Sequence, residues 1–288
     1  MKVRHKFLIA LLIAAMAVIT TPQALRRFDC LRAALGDRAK LVWTDGLATV
    51  YAQEREYDEK DLPEREEMRQ SYQLAPGASV TVSGINGAVS VETSNTSTAE
   101  VYVVRSARSR EDLEHRKVII ENTPAGLVVR GEQERFHPWH GDVRQRVMLK
   151  LPRQVDLTAK GVNGHVTVGE VDGPVKLSGI NGRVEVAQAT GYSEISGING
   201  RVVMTIAHLG ERGIHVSGIN GGIELRFAEG LNADLSVTGI NGDVDTELPN
   251  VTVQGRVSRS NFHARIGSGG APITVSGVNG RVHLAPRA

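Results

Sequence analysis

Apolar and polar side chains alternate on either side of a five-residue motif that keeps returning. Ser-Gly-Ile-Asn-Gly stands at 83–87, 178–182, 196–200 and 217–221, with variants at 160–164, 238–242 and 276–280. A worn copy at 258–262 keeps Asn261 but has lost the glycines. From Asn163 to Asn279 the asparagines follow one another in steps of 18, 18, 21, 21, 20 and 18 residues. Four residues before the Asn the side chain is apolar, as in Leu177, Ile195, Val216 and Val275. Three and five residues after it, Val184 and Val186, Ile223 and Leu225, and Val282 and Leu284 are apolar too. The positions between are mostly polar: Arg183, Glu185, Arg201, Glu224, Asp243, Asp245, Arg281 and His283. A period of two marks a half-buried strand, so each unit reads as strand, Gly-x-Asn-Gly corner, strand.

Two architectures accommodate such a unit. Asn-Gly between alternating strands is a strong hairpin signal and points to an antiparallel meander. A period of about 20 residues instead suggests a solenoid in which each unit is one coil stacked on the last. The residue just before the Asn favours the solenoid. It is Ile85, Val162, Ile180, Ile198, Ile219, Ile240 or Val278. In a two-residue hairpin this apolar column would share a face with Arg183, Arg201 and Arg281. At a solenoid corner it turns into the core instead. Glycine supplies the positive φ of the corner, and stacked Asn side chains can bond from coil to coil. The predicted fold is all-β, a β-solenoid with coils of about 18–21 residues. Asn86, Asn163, Asn181, Asn199, Asn220, Asn241 and Asn279 should line one edge, each followed by Gly87, Gly164, Gly182, Gly200, Gly221, Gly242 or Gly280.

The rest of the chain is less regular. Residues 7–19 are an unbroken apolar run behind Lys2, Arg4, His5 and Lys6. That is the layout of a signal peptide over 1–24, or of a retained membrane anchor over 7–25, and predicts export. Residues 25–72 read as a partly helical, charged linker, with a charge run over 53–70. Residues 73–288 hold the repeats, with an irregular first part at 88–159 and regular coils over 155–288. Within 88–159, strands are predicted around Val101, Val118, Leu127 and Val147, and a helical turn at 109–116.

Composition adds three limits. Only 4% of residues are aromatic against 41% hydrophobic, which suits a thin aliphatic core. A net charge of +2 gives no footprint for nucleic acid. One cysteine, Cys30, cannot form an internal disulfide. No phosphate-cradling loop, dinucleotide fingerprint, zinc motif or nucleophile elbow is present. The loop His137-Pro138-Trp139-His140 offers two imidazoles but no further ligand at a telling spacing, so no metal and no cofactor are expected.

Gln73-Leu74-Ala75-Pro76-Gly77, the first Ser-Gly-Ile-Asn-Gly and the segment 151–157 before the next repeat together resemble a bacterial family named for adhesins. These are domains of unknown function with short β-strand repeats, related to the auto-transporter adhesin "head GIN" domain. The resemblance spans about residues 70–286 and implies an exported, right-handed parallel β-helix-like fold. It brings no catalytic residues with it. Three function classes remain open. One is a non-enzymatic cell-envelope protein, an adhesin or surface scaffold, whose partner is a cell-surface glycan or an envelope protein and whose membrane contact is limited to the N-terminal segment. Another is a polysaccharide-acting β-helix enzyme, and the third a membrane-tethered partner in envelope-stress signalling. For the enzyme, alignment by Asn puts Glu224, Asp245, Arg265 and His283 in one outward column and Asp243 and His263 in the column beside it. Paired carboxylates with basic neighbours could serve glycoside cleavage. The competing reading is a salt-bridged, solvated sheet face.

Overall fold

The structure, a computed structural model, describes residues 39–44, 47–52, 62–133, 143–254 and 261–287. The signal or anchor segment, Cys30, the His137–His140 loop and the start of the worn repeat lie outside these residues. The described chain falls into two units. In the first, β1 (Ala39–Thr44) and β2 (Leu47–Ala52) form an antiparallel hairpin, where the sequence suggests patchy helix.

Among its described residues the second unit is all-β but for one six-residue helix. Its strands begin with β3 (Glu64–Gln73), which replaces the solvated linker expected from the charge run. Then come β4 (Ala78–Ser83), β5 (Val89–Ser94) and β6 (Thr98–Ala107), helix α1 (Arg110–His115), β7 (Arg116–Thr123), β8 (Gly126–Gln133) and β9 (Arg144–Pro152). Ser109 caps α1 by accepting from the Asp112 amide at 3.2 Å. The regular part holds β10 (Val155–Lys160), β11 (Val166–Val171), β12 (Val175–Asn181), β13 (Val184–Ala189), β14 (Ser193–Asn199), β15 (Val202–Ile206), β16 (Ile214–Asn220) and β17 (Ile223–Phe227). It closes with β18 (Ala233–Asn241), β19 (Val244–Thr246), β20 (Val251–Val253), β21 (Asn261–Ile266), β22 (Ala271–Asn279) and β23 (Val282–Pro286).

These strands form two large mixed sheets. Sheet I has eleven strands in the order β20-β21-β18-β22-β16-β14-β12-β10-β4-β8-β7, and sheet II ten in the order β19-β23-β17-β15-β13-β11-β5-β9-β6-β3. Each repeat lends one strand to sheet I, turns at its Asn-Gly corner and lends the next to sheet II. Equivalent strands pair in parallel, Leu177 facing Ile195 and Val184 facing Val202. The hairpin reading of Asn-Gly therefore fails: no corner joins strands that pair with each other. The inward side chains of both sheets share one aliphatic core.

The corner explains itself in β12. Val175 and Leu177 point inward and Lys176 and Ser178 outward, and a strict alternation would then bury position 179. Gly179 takes φ 60 instead. That slips the phase by one residue, so Ile180 turns inward at 1% exposure and Asn181 turns out. Asn163 Nδ2 donates to Asn86 Oδ1 at 3.1 Å, Asn181 to Asn163 at 3.1 Å, Asn199 to Asn181 at 3.0 Å and Asn220 to Asn199 at 2.9 Å. Asn279 and Asn241 continue the ladder. The glycine after each Asn stacks on its counterpart so tightly that a Cβ on Gly182 would lie 2.2 Å from the Gly164 carbonyl oxygen.

Spatial order departs from chain order at both ends. β4–β5 lies between β8–β9 and β10–β11, and β22–β23 lies between β16–β17 and β18–β19. The worn repeat makes no coil. Asn261 sits opposite Thr238 in β21, which runs antiparallel to β18. The described part of this copy, β21, pairs with β18 and β20 within sheet I.

Candidate functional site

Two outward faces could meet a partner. On sheet I, the first residue of each motif forms an in-register column: Ser83, Lys160, Ser178, Ser196, Ser217, Ser276 and Thr238. These serine and threonine side chains are half-buried, held between neighbouring strands. The column beside it holds Thr81, Thr158, Lys176, Glu194, His215, Thr274 and Ser236. The face is thus mainly hydroxyl, repeated at the strand spacing of about 4.8 Å. The motif's opening Ser carries this signal in the sequence.

On sheet II, the outward column runs Glu185, Val203, Glu224, His283 and Asp245. Glu224 is 9% exposed. It accepts from Arg226 Nε at 2.7 Å and pairs with Arg201 from the neighbouring repeat. Burial pushes its pKa up, but the hydrogen bonds and charges of Arg226 and Arg201 outweigh burial and hold the carboxyl below the usual carboxylate range. Asp245 pairs with Arg281 at 3.3 Å, and His283 Nε2 lies 3.6 Å from Glu247.

The candidate cluster is therefore divided. Glu224, His283 and Asp245 do come together, but His283 stands between the two carboxylates, because β23 is inserted between β17 and β19. That sets Glu224 and Asp245 two strands apart, about 9–10 Å, instead of the single spacing expected. Asp243 lies on the same sheet, its carbonyl accepting from the Val282 amide at 2.9 Å. His263 and Arg265 belong to sheet I, facing Ser236 and Asp234, and Arg265 pairs with Asp234 at 3.3 Å. Chain order misplaced them because it made 258–266 a coil. A general acid needs a raised pKa; Glu224 is pushed the other way, which suits it to binding its two arginines. Arg201 and Arg226 were missed as its partners, although the alternation Ile223-Glu224-Leu225-Arg226 puts Glu224 and Arg226 on one face. Among the described residues no group of three or more His, Cys, Asp or Glu is placed to hold a metal ion, and no helix is long and apolar enough to cross a membrane.

No protein-family model matches the chain, and no curated protein matches it. Solved structures do. A "putative cell adhesion protein" from Clostridium sporogenes ATCC 15579 is 8% identical over 78% of this chain and 100% of its own, with a TM-score of 0.43. A "putative adhesin" from Parabacteroides merdae ATCC 43184 is 11% identical over 77% and 97%, at a TM-score of 0.27. Another from Bacteroides fragilis NCTC 9343 is 8% identical over 77% and 98%, at 0.25. These descriptions coincide with the adhesin-named family that the repeats resemble.

Proposed function

We propose that the protein is a non-enzymatic, exported cell-envelope protein whose body is a right-handed, parallel β-helix-like solenoid. It offers its hydroxyl-lined face to a repetitive partner such as a cell-surface glycan. Support for the solenoid comes from the parallel, in-register pairing of successive repeats and from the Asn ladder. Support for export comes from residues 1–24. The observation that carries the binding reading is the sheet I column from Ser83 to Thr238, which presents one kind of polar group level after level. A polymer with a comparable repeat can meet such a face at several levels at once, so weak single contacts add through effective concentration. A β-solenoid can grow such a surface without needing a pocket.

The purified body, residues 62–288, should bind one or more members of a glycan panel without turning them over. Ser196→Ala with Ser217→Ala, which remove the hydroxyls without adding bulk or charge at these half-buried outward positions, should weaken that binding severalfold while leaving the thermal midpoint nearly unchanged. Binding unchanged by the double substitution would move the partner to another face, and turnover of any glycan would overturn the non-enzymatic reading.

A further inference from the structure

The repeat β22–β23 occupies a slot that another copy of the same segment could fill equally well. Ile214, Val216, Ile219 and Asn220 of β16 face Ile273, Val275, Val278 and Asn279 of β22. On the far side, the same residues of β22 face Leu235, Val237, Ile240 and Asn241 of β18. β23 is likewise bonded in parallel to β17 and β19. Both walls of the slot thus carry one motif in one register. They could also meet each other directly: Asn220 and Asn241 are 21 residues apart, the same step that separates the stacked Asn199 and Asn220.

Closing β18–β19 onto β16–β17 needs a loop of that length, whereas Asn279 reaches Asn220 across 59 residues. Shorter loops close at lower entropic cost and sooner. A folding chain therefore meets the closed slot first and holds 271–286 outside as an unpaired strand pair with two open edges. Unpaired edges of this kind capture a matching strand. The segment is entered through Gly267-Ser268-Gly269-Gly270, where Gly267 has φ 60 and Gly269 φ 83. Three glycines in four residues allow that connection to be redirected at little steric cost.

We propose that the slot between β16–β17 and β18–β19 is a strand-acceptor site for Ala271–Pro286 of a second copy of this chain, so that copies assemble by exchanging this repeat. Exchange of an identical element reproduces every contact of the closed form and adds only the cost of association. The proposal is independent of any glycan.

The test uses full-length chains in which Cys30 is replaced by Ser. One copy carries Ser217→Cys on the slot wall and the other Ser276→Cys on the segment that fills it, positions paired between β16 and β22. The two are unfolded together, refolded together and treated with a short bis-maleimide, which adds one cysteine thiol to each of its two double bonds. The expected product is a cross-linked heterodimer joined at 217 and 276, in clear excess over dimers joined at 217 and 217. Mixing the two copies after each has folded alone should give much less of it. A single chain carrying both cysteines must cross-link within itself, which confirms that the pair is within reach. If that control reacts while the co-refolded mixture gives no 217–276 heterodimer, or gives 217–217 dimers equally well, strand exchange is overturned.

Discussion

The two glycines around each Asn do different work, and a pair of alanine substitutions should separate them. Gly197 and Gly200 flank Asn199 in the middle of the stack. Gly197 has φ 61, and a Cβ there would lie 3.6 Å from its nearest neighbour, the Gly179 nitrogen. Gly197→Ala therefore meets only left-handed backbone strain, about 1–2 kcal/mol. Gly200 has φ 153, and its Cβ would lie 2.1 Å from the Gly182 oxygen and 2.7 Å from the Gly182 carbon. Backbone strain of about 1–3 kcal/mol is then joined by overpacking of about 1–3 kcal/mol or more, because the obstructing atoms are backbone and cannot rotate away. Taking the middle of these ranges, Gly200→Ala should cost about 2 kcal/mol more than Gly197→Ala. For a unit of this size that difference is about 4–8 °C in thermal midpoint. Asparagine sharpens the contrast: Gly197→Asn should stay near wild type, since Asn tolerates the left-handed region, and Gly200→Asn should not. Urea unfolding of the four variants measures the costs. Equal losses at 197 and 200 would mean that glycine-on-glycine stacking does not set the spacing of the coils.

Further outcomes follow from single sites. Ile219→Ala should cost about 2–5 kcal/mol in chemical denaturation, since Ile219 is 1% exposed at a corner with coils on both sides. Ser193 is fully buried on the inner face between Val175 and Ile214, and its hydroxyl has no hydrogen-bond partner; Ser193→Val should stabilise the fold by about 1 kcal/mol. Glu224 has a folded pKa below its unfolded value, so its stabilisation is complete above the unfolded pKa and is lost as pH falls through the folded one. Glu224→Gln should flatten the acid limb of stability against pH, and an unchanged limb would show that the two arginines do not hold the carboxylate. A chain ending at Gly270 should let Ser217→Cys and Thr238→Cys cross-link, which the full chain should not, because Ser276 separates them. A reporter joined after Asp61 should be found outside the cytoplasm, and cytoplasmic reporter would refute the reading of residues 1–24.

What the sequence made legible was local. The strand-corner-strand unit, the buried Ile before Asn and the aligned Asn column all follow from a few adjacent residues, and each stands as expected. Glu64–Gln73 misled because an edge strand paired on one side can be charged on both faces, and such charges keep edges from pairing with other molecules. The order of coils was not legible for another reason. Seven nearly identical motifs pair about equally well in any sequence, so register energy does not decide who stacks on whom. The choice is made between distant segments: β21 runs back along β18, and the last repeat lies between β16–β17 and β18–β19. The columns drawn through Arg265 and His263 fell because they assumed stacking in chain order.

The inserted repeats change how the protein would respond to tension. In a simple stack the outermost coil is bonded on one side only and can be peeled away level by level. Here a pull on the backbone beyond Pro286 loads β23, which is bonded along both edges, to β17 and to β19. Both ladders must give together, and because all three strands run parallel they give in shear along their length. Forced unfolding is governed by the height of that barrier, not by the equilibrium stability. β4–β5 is likewise bonded on both edges, between β8–β9 and β10–β11. A pull from the C-terminal side therefore meets a strand held on both edges, whereas a pull from the N-terminal side loads β3, bonded to β6 alone.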